Sequence, residues 1–179
     1  AMASVFSGDP VAAVGQLNRA VELYRALGDQ GGLAACLAAR GPFAASPALA
    51  ETSYAACWPL ADCLRDADEA ANLMRRLGWP AGVAFAGVGA SPTCTAFGDY
   101  GAALAWSSET LRIATEIGHR QWRTGAHSAT GAIYAELFMP DPAIEHQETA
   151  LALARDLGSA WWIGMCTVTL VFACILAGD

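Results

Sequence analysis

The side chains most able to do acid–base chemistry are grouped at the start of one predicted helix. They are Asp62, Asp66, Asp68 and Glu69. Paired carboxylates can act as general acid and general base. Acids in a first helical turn also interact favourably with the helix dipole and with water. We interpret the group as a solvated cluster and predict no catalytic residues.

The metal-ligating residue types are poorly spaced for a metal site. His119, His127 and His146 are too scattered for a triad, and the first two lie eight residues apart without a third ligand nearby. The cysteines form no CxxC and no zinc-knuckle spacing. They are Cys36, Cys57, Cys63, Cys94, Cys166 and Cys174. We therefore predict no metal, no cofactor and buried free thiols.

Motifs for nucleotide binding and hydrolysis are missing from the sequence. There is no GxxxxGK[ST], GxSxG or HExxH, and Gly87-Val88-Gly89 lies in a helical stretch without the strand that a dinucleotide fingerprint requires. The arginines that cluster lie near predicted helix ends, where cations complement the dipole. They are Arg75, Arg76, Arg112, Arg120 and Arg123. We do not interpret them as a phosphate site.

Composition favours a compact protein and argues against nucleic-acid binding. Of 179 residues, 55% are hydrophobic and 15% are charged, which excludes intrinsic disorder. The formal charge of −7 opposes contact with phosphate backbones. All ten basic residues are arginine, which indicates a GC-rich bacterial genome. Residues 1–7 are interpreted as cloning-derived or disordered, and the absence of a signal peptide predicts a cytoplasmic protein.

A repeat of about forty residues organises the chain. An apolar residue followed by glycine recurs at Gly28, Gly78, Gly118 and Gly158, with spacings of fifty, forty and forty. Apolar residues seven and fourteen positions before each glycine form one helical stripe, and glycine commonly ends a helix in a left-handed turn. We predict four helices that end at these glycines. Their predicted N-terminal caps are Asp9-Pro10, Asp99 and Asp141-Pro142.

A second helix with few charges is predicted after each glycine. Eight positions after the glycines the residues are all small: Cys36, Ala86, Ala126 and Cys166. Thirteen positions after, they are Gly41, Ser91, Gly131 and Val171. Small residues at helical spacing let two backbones approach, so we predict antiparallel helix hairpins. Ser91-Pro92 predicts a kink in the second of these helices.

The segment from Gly98 to Gly158 resembles the tetratricopeptide repeat, in the forty-residue form of large bacterial signalling proteins. Gly131 and Tyr134 match the small and aromatic positions of the family's first helix, and Ala150 matches the small position of its second. The resemblance implies an all-α fold in which helix hairpins stack as a right-handed α-solenoid. The predicted repeats lie near 8–58, 59–97, 98–138 and 139–179. Residues 41–59 are an insertion in this scheme, with a separate short helix predicted over 47–57.

The resemblance also implies a binding groove on the concave side of the stack. The family's groove positions correspond here to Phe85, Val88, Ser128, Ala132, Glu136, Met165, Val168 and Phe172, together with Pro92, Ala96, Gly125 and Leu176. These side chains are largely apolar, and Glu136 is the single charge among them. The groove therefore suits an apolar peptide, a neighbouring domain of the same chain or a small neutral ligand.

The C-terminal stretch is apolar enough to raise the question of a membrane. Residues 157–178 contain no charge, and their length matches a membrane span. They nevertheless fall in register with the other uncharged helices, so we predict a buried helix and no membrane contact. Trp79, Trp122, Trp161 and Trp162 are interpreted as filling the seams between repeats.

The chain is interpreted as a piece of a longer array. Its last dipeptide, Gly178-Asp179, repeats the Gly98-Asp99 that opens a helix, and a solenoid whose last helix lacks its cover could form a homodimer. Chains that resemble this one carry such arrays behind a nucleotide-binding domain, with a LuxR-type DNA-binding domain or a nucleotide cyclase at one end.

The implied function is a non-enzymatic sensor and scaffold of a bacterial transcription regulator, with protein, peptide or small-molecule partners. The alternative is the repeat region of a nucleotide cyclase or another signalling ATPase. An all-helical enzyme is the competing class. It requires two carboxylates that face the groove together, whereas the register places one there.

Overall fold

A computed structural model describes residues 10–40 and 60–178, and these two ranges form eight α-helices and no strand. The helices are α1 (Pro10–Leu27), α2 (Gln30–Ala38), α3 (Leu60–Arg76), α4 (Pro80–Ala96), α5 (Tyr100–Glu116), α6 (Arg120–Glu136), α7 (Pro140–Leu157) and α8 (Ala160–Ala177). The all-α prediction is confirmed. The predictions for residues 1–7, the cap at Asp9, Gly41 and the helix over 47–57 lie outside the described residues.

A left-handed residue follows each helix from α3 onward, and these residues recur every twenty positions. They are Gly78, Gly98, Gly118, Phe138, Gly158 and Gly178, with φ between 55° and 88°. In each turn from the one after α3 to the one after α7, the next amide donates to the carbonyl five residues earlier, as Trp79 does to Met74 at 2.9 Å. The predicted helix ends at Gly28, Gly78, Gly118 and Gly158 are thus confirmed. The repeat of forty residues divides into two helix-and-turn units of equal length.

The predicted N-terminal caps are confirmed at Asp99 and wrong at Asp141. The Asp99 carboxylate accepts a hydrogen bond from the Ala102 amide at 3.0 Å. Helix α7 begins earlier than predicted, with Met139 as its cap and Pro140 at the first helical position. The twenty-residue period places the preceding turn at Phe138, and Pro140 needs no donor at the first position. Asp141 therefore lies in the first turn, where its negative charge interacts favourably with the helix dipole.

Each helix packs against the next, and the even-numbered helices also contact one another. Every helix from α1 to α7 contacts the helix numbered next after it. Further contacts join α2 to α4, α4 to α6 and α6 to α8. The turns between consecutive helices from α3 to α8 are short, so these neighbours run antiparallel. The even-numbered helices therefore form one continuous layer.

Small side chains allow the close helix contacts that the sequence predicted. Ala86, Ala126 and Cys166 are buried in their helices. A Cβ atom added to Gly131 would lie 3.0 Å from the Ala143 carbonyl oxygen of α7. The last member of the second small-residue column, Val171, is exposed instead.

Helix α4 continues through the predicted interruption at Ser91-Pro92. It is helical from Pro80 to Ala96 with Pro92 inside it. The Ser91 hydroxyl is buried and donates to the Ala103 carbonyl of α5 at 3.0 Å. This bond ties α4 to α5 in the turn where proline removes a backbone donor.

Replacing Phe138 with glycine is expected to stabilise the fold. Phe138 is the one non-glycine residue with positive φ among the described residues, and its side chain is 78% exposed. Relief of left-handed strain should raise the free energy of unfolding by about 1 kcal/mol in urea denaturation. Phe97 is the matched control, because it is also exposed but has a φ of −85°. Phe97→Gly should lower stability by about 0.5 kcal/mol, and a loss in both variants would contradict the prediction.

Candidate functional site

Two of the predicted groove residues of α4, Phe85 and Val88, lie in the seam between α4 and α6. Phe85 is half-buried and its ring stacks on Trp122, with centroids 5.2 Å apart. Val88 is also half-buried and faces Gly125, and it packs against the cluster that contains Trp162. The side chains predicted to bind a ligand in this repeat therefore also hold consecutive repeats together.

The predicted residues of α6 are less enclosed toward its C-terminus. Ser128 and Ala132 are half-buried, and Glu136 is exposed. The Ser128 carbonyl accepts from the Gln147 amide of α7 at 2.8 Å. Burial raises the pKa of the Cys166 thiol, and a hydrogen bond with Ser128 offsets part of that effect.

Three of the four predicted residues of α8 are exposed, and Leu176 is half-buried. Met165, Val168 and Phe172 all lie on the surface of this helix. The predicted set follows the even-numbered helices and is most exposed in α8, at Met165, Val168 and Phe172. These residues can bind apolar groups. Glu136 is the one carboxylate in the predicted set, so the set provides no acid–base pair.

The four tryptophans considered in the sequence differ in how deeply they are buried. Trp122 lies in the α4–α6 seam, as predicted, and Trp162 is buried beside α7. Trp79 and Trp161 are 41% and 55% exposed, so neither is fully enclosed between helices.

The acidic cluster is less solvated than predicted. Asp66 is only 2% exposed and pairs with the Arg40 guanidinium, which also donates to Asn18 of α1. Asp62 and Glu69 pair with arginines nearer the surface. Residues from three helical regions thus meet at Arg40, and Asp66 is enclosed in a structural ion pair. The sequence analysis missed this because Arg40 is 26 positions away in the chain.

Asp66→Asn is expected to destabilise the protein strongly. The substitution removes the carboxylate charge of a buried ion pair at nearly constant side-chain size, which costs about 3 kcal/mol. Glu69→Gln is the control, because its pair with Arg25 is largely exposed and contributes less than about 1 kcal/mol. Chemical denaturation of the two variants measures the difference. Equal losses would show that the Arg40 contact is not buried in solution.

Two of the five clustered arginines, Arg75 and Arg112, are engaged in ion pairs. Arg75 bonds Glu109 at 3.0 Å, and Arg112 bonds Glu116 at 2.7 Å. The four side chains line a shallow cleft of about 310 Å³ beside Trp79. The charges of these two arginines are balanced by the carboxylates.

One ion pair recurs in register between successive repeats. Arg25 and Arg75 each lie three residues before a helix-ending glycine, and Glu69 and Glu109 each lie nine residues before the next one. Arg25 bonds Glu69 across α1 and α3, and Arg75 bonds Glu109 across α3 and α5. The same spacing in the sequence could have revealed this contact.

The structure brings together two histidines that the sequence analysis considered scattered. Nδ1 of His127 in α6 lies 3.1 Å from Nδ1 of His146 in α7. Helices that run antiparallel about the turn at Phe138 place these two positions opposite each other. One neutral imidazole must donate and the other accept. In the part of the chain that the structure describes, no third metal-ligating side chain joins them.

The environment of the pair disfavours protonation. Burial lowers the pKa of His127, and His146 and Arg123 lower it further, against an opposing effect of Glu145. Burial also lowers the pKa of His146, again opposed by Glu145. Both rings are therefore held neutral in the folded protein at a pH where unfolded histidines begin to take up protons.

The free energy of unfolding is expected to fall as the pH drops below about 6.5. The unfolded chain binds protons first because its histidines have the higher pKa, so the stabilisation is complete above that pH and is lost below it. Urea denaturation of His127→Gln/His146→Gln between pH 7.5 and about 5 should show a flatter profile. Glu148→Gln, on the exposed side of α7, should keep the wild-type slope. An unchanged slope in the double variant would contradict the assignment.

Among the helices that the structure describes, α8 is the one that is long and apolar enough to cross a membrane, judged by its length and composition alone. Most of its residues are exposed in this fold, so the prediction of a buried helix is wrong for α8. Its buried residues Trp162, Cys166 and Ala173 contact the rest of the protein.

A comparison of the chain with protein-family models finds no match, and a comparison with curated proteins finds none either.

Proposed function

We propose that this chain is a non-enzymatic helical-repeat module, a right-handed α-solenoid similar to the tetratricopeptide repeat, whose even-numbered helices present an apolar binding surface. The observation that carries the proposal is the recurrence of equivalent contacts at the repeat spacing. Arg25–Glu69 and Arg75–Glu109 join successive odd-numbered helices through the same two columns of the sequence.

The even-numbered helices support the same interpretation. Trp122 stacks on Phe85 of the preceding even helix, and Trp162, forty residues after Trp122, lies near Gly125, forty residues after Phe85. Each unit thus contacts the one before it and the one after it. Units related in this way by translation form an array with a continuous surface along one layer.

The chemistry of that surface favours an apolar partner. Its predicted residues are apolar or small except for Glu136, and Met165, Val168 and Phe172 of α8 are open to solvent. We favour a peptide segment or a neighbouring domain with apolar side chains, and a small neutral ligand is the next class. The buried pairing of Asp66 and the single groove carboxylate both argue against an enzyme.

The wider role follows from the resemblance alone. On that basis the module would act as sensor and scaffold in a cytoplasmic bacterial transcription regulator of LuxR type. A nucleotide cyclase or another signalling ATPase is the alternative parent.

Selection of peptides from a random displayed library on the whole chain tests the proposed surface. We expect apolar peptides whose affinity falls about tenfold or more in Met165→Glu and Phe172→Glu, because a charge then faces an apolar ligand. Leu27→Glu is the control, since Leu27 is an exposed apolar residue far along the chain from α8. Equal loss in all three variants, or binding that none of them weakens, would place the surface elsewhere.

A further inference from the structure

A second apolar face of α8 is exposed beside the proposed groove. Val171 and Ile175 lie four residues apart and are 53% and 64% exposed. We call these two residues the α8 face. We infer that the α8 face is a docking site for an amphipathic α-helix with the contact pattern of α5 and α7. This inference rests on the proposed repeat geometry and adds the kind of partner.

The equivalent faces of the two preceding even helices are already covered by a helix. Forty residues before Val171 is Gly131, which is buried against Ala143 and Gln147 of α7. Eighty residues before it is Ser91, which is buried and bonds the Ala103 carbonyl of α5. In both cases the covering helix runs antiparallel and follows directly after a left-handed turn. The register therefore indicates a helix as the occupant of the α8 face.

The covering helices share a pattern that defines the chemistry of the partner. Their buried contact residues are spaced by four, three and four positions and are small or uncharged. They are Ala103, Ser107, Thr110 and Ala114 in α5, and Ala143, Gln147, Ala150 and Ala154 in α7. The partner helix is expected to carry small residues at the same spacing, with a polar opposite side.

Val171 restricts one position of the partner further. Gln147 fits beside α6 because Gly131 has no side chain, and an added Cβ would lie 2.7 Å from the Gln147 Nε2 atom. Valine at the equivalent position of α8 leaves no such space. The partner must therefore carry a small residue there, as α5 does with Ser107.

The contacts on the opposite side of α8 favour a docked helix rather than a lipid bilayer as the partner of the α8 face. Trp162, Cys166 and Ala173 are buried against α6 and α7. Insertion of α8 into a membrane would break these contacts, whereas a docked helix leaves them intact. A bilayer and a second copy of the chain are the outcomes that the experiment must separate from a docked helix.

The test extends the full chain so that a helix of the required pattern can reach the α8 face. Asp179 is followed by a second copy of residues 100–118, which places an α5 sequence after the left-handed turn at Gly178. We expect the melting temperature to rise by about 4 °C or more. Val171→Glu should lower the melting temperature of the extended chain but change that of the original chain little, because Val171 is exposed there.

A matched extension tests the pattern itself. Glutamine in place of the serine that copies Ser107 should remove most of the rise, whereas Leu27→Glu should leave it unchanged. No rise, or an equal effect of Val171→Glu in both chains, would overturn the inference. Flotation of the original chain with phosphatidylcholine vesicles, or a dimer that Val171→Glu dissociates, would also overturn it in favour of a bilayer or a second copy. Groove binding is probed at Met165 and Phe172, so the proposed function and this inference can fail separately.

Discussion

The architecture depends on antiparallel helices that approach closely at small residues. A left-handed residue every twenty positions ends each helix from α3 onward and so fixes where these small residues meet. Ala86, Ala126 and Cys166 are buried where neighbouring helices meet, and Gly131 lies within van der Waals reach of the Ala143 backbone. Close packing leaves such sites little tolerance for added volume. The regular turns keep each small residue opposite its counterpart, so the spacing of the turns and the size of the side chains act together.

This constraint divides the protein into two layers with different chemistry. Odd-numbered helices carry charges and exchange ion pairs such as Arg75–Glu109 at the surface. Even-numbered helices carry few charges and contact one another through aromatic and small residues, as Phe85 does with Trp122. Exposed ion pairs contribute little stability but can reinforce register. The apolar layer, open at α8, is the surface on which both proposals depend.

Sequence reasoning identified the helices from their glycines and apolar stripes, because those signals are local. It missed Phe138 as a turn residue, since a left-handed phenylalanine has no compositional signature, and so it placed the start of α7 two residues late. It also missed the Arg40–Asp66 and His127–His146 contacts, which join separate helices. The histidine contact follows once the hairpin about Phe138 is known. The Arg40 contact depends on how α2 meets α3, which no periodicity reveals.

The most direct test of a translational repeat is to insert a second copy of residues 119–158 after Gly158. The insertion keeps every left-handed turn twenty residues from the next and places Trp122, Gly125 and Ala126 where Trp162, Met165 and Cys166 now lie. We predict cooperative urea unfolding, a larger dependence of the unfolding free energy on denaturant, and helicity that rises in proportion to length. Duplication of residues 129–158 breaks the register and should abolish cooperative folding. Loss of cooperativity in the forty-residue duplication would contradict the account, because helices bundled about one axis have no place for another pair.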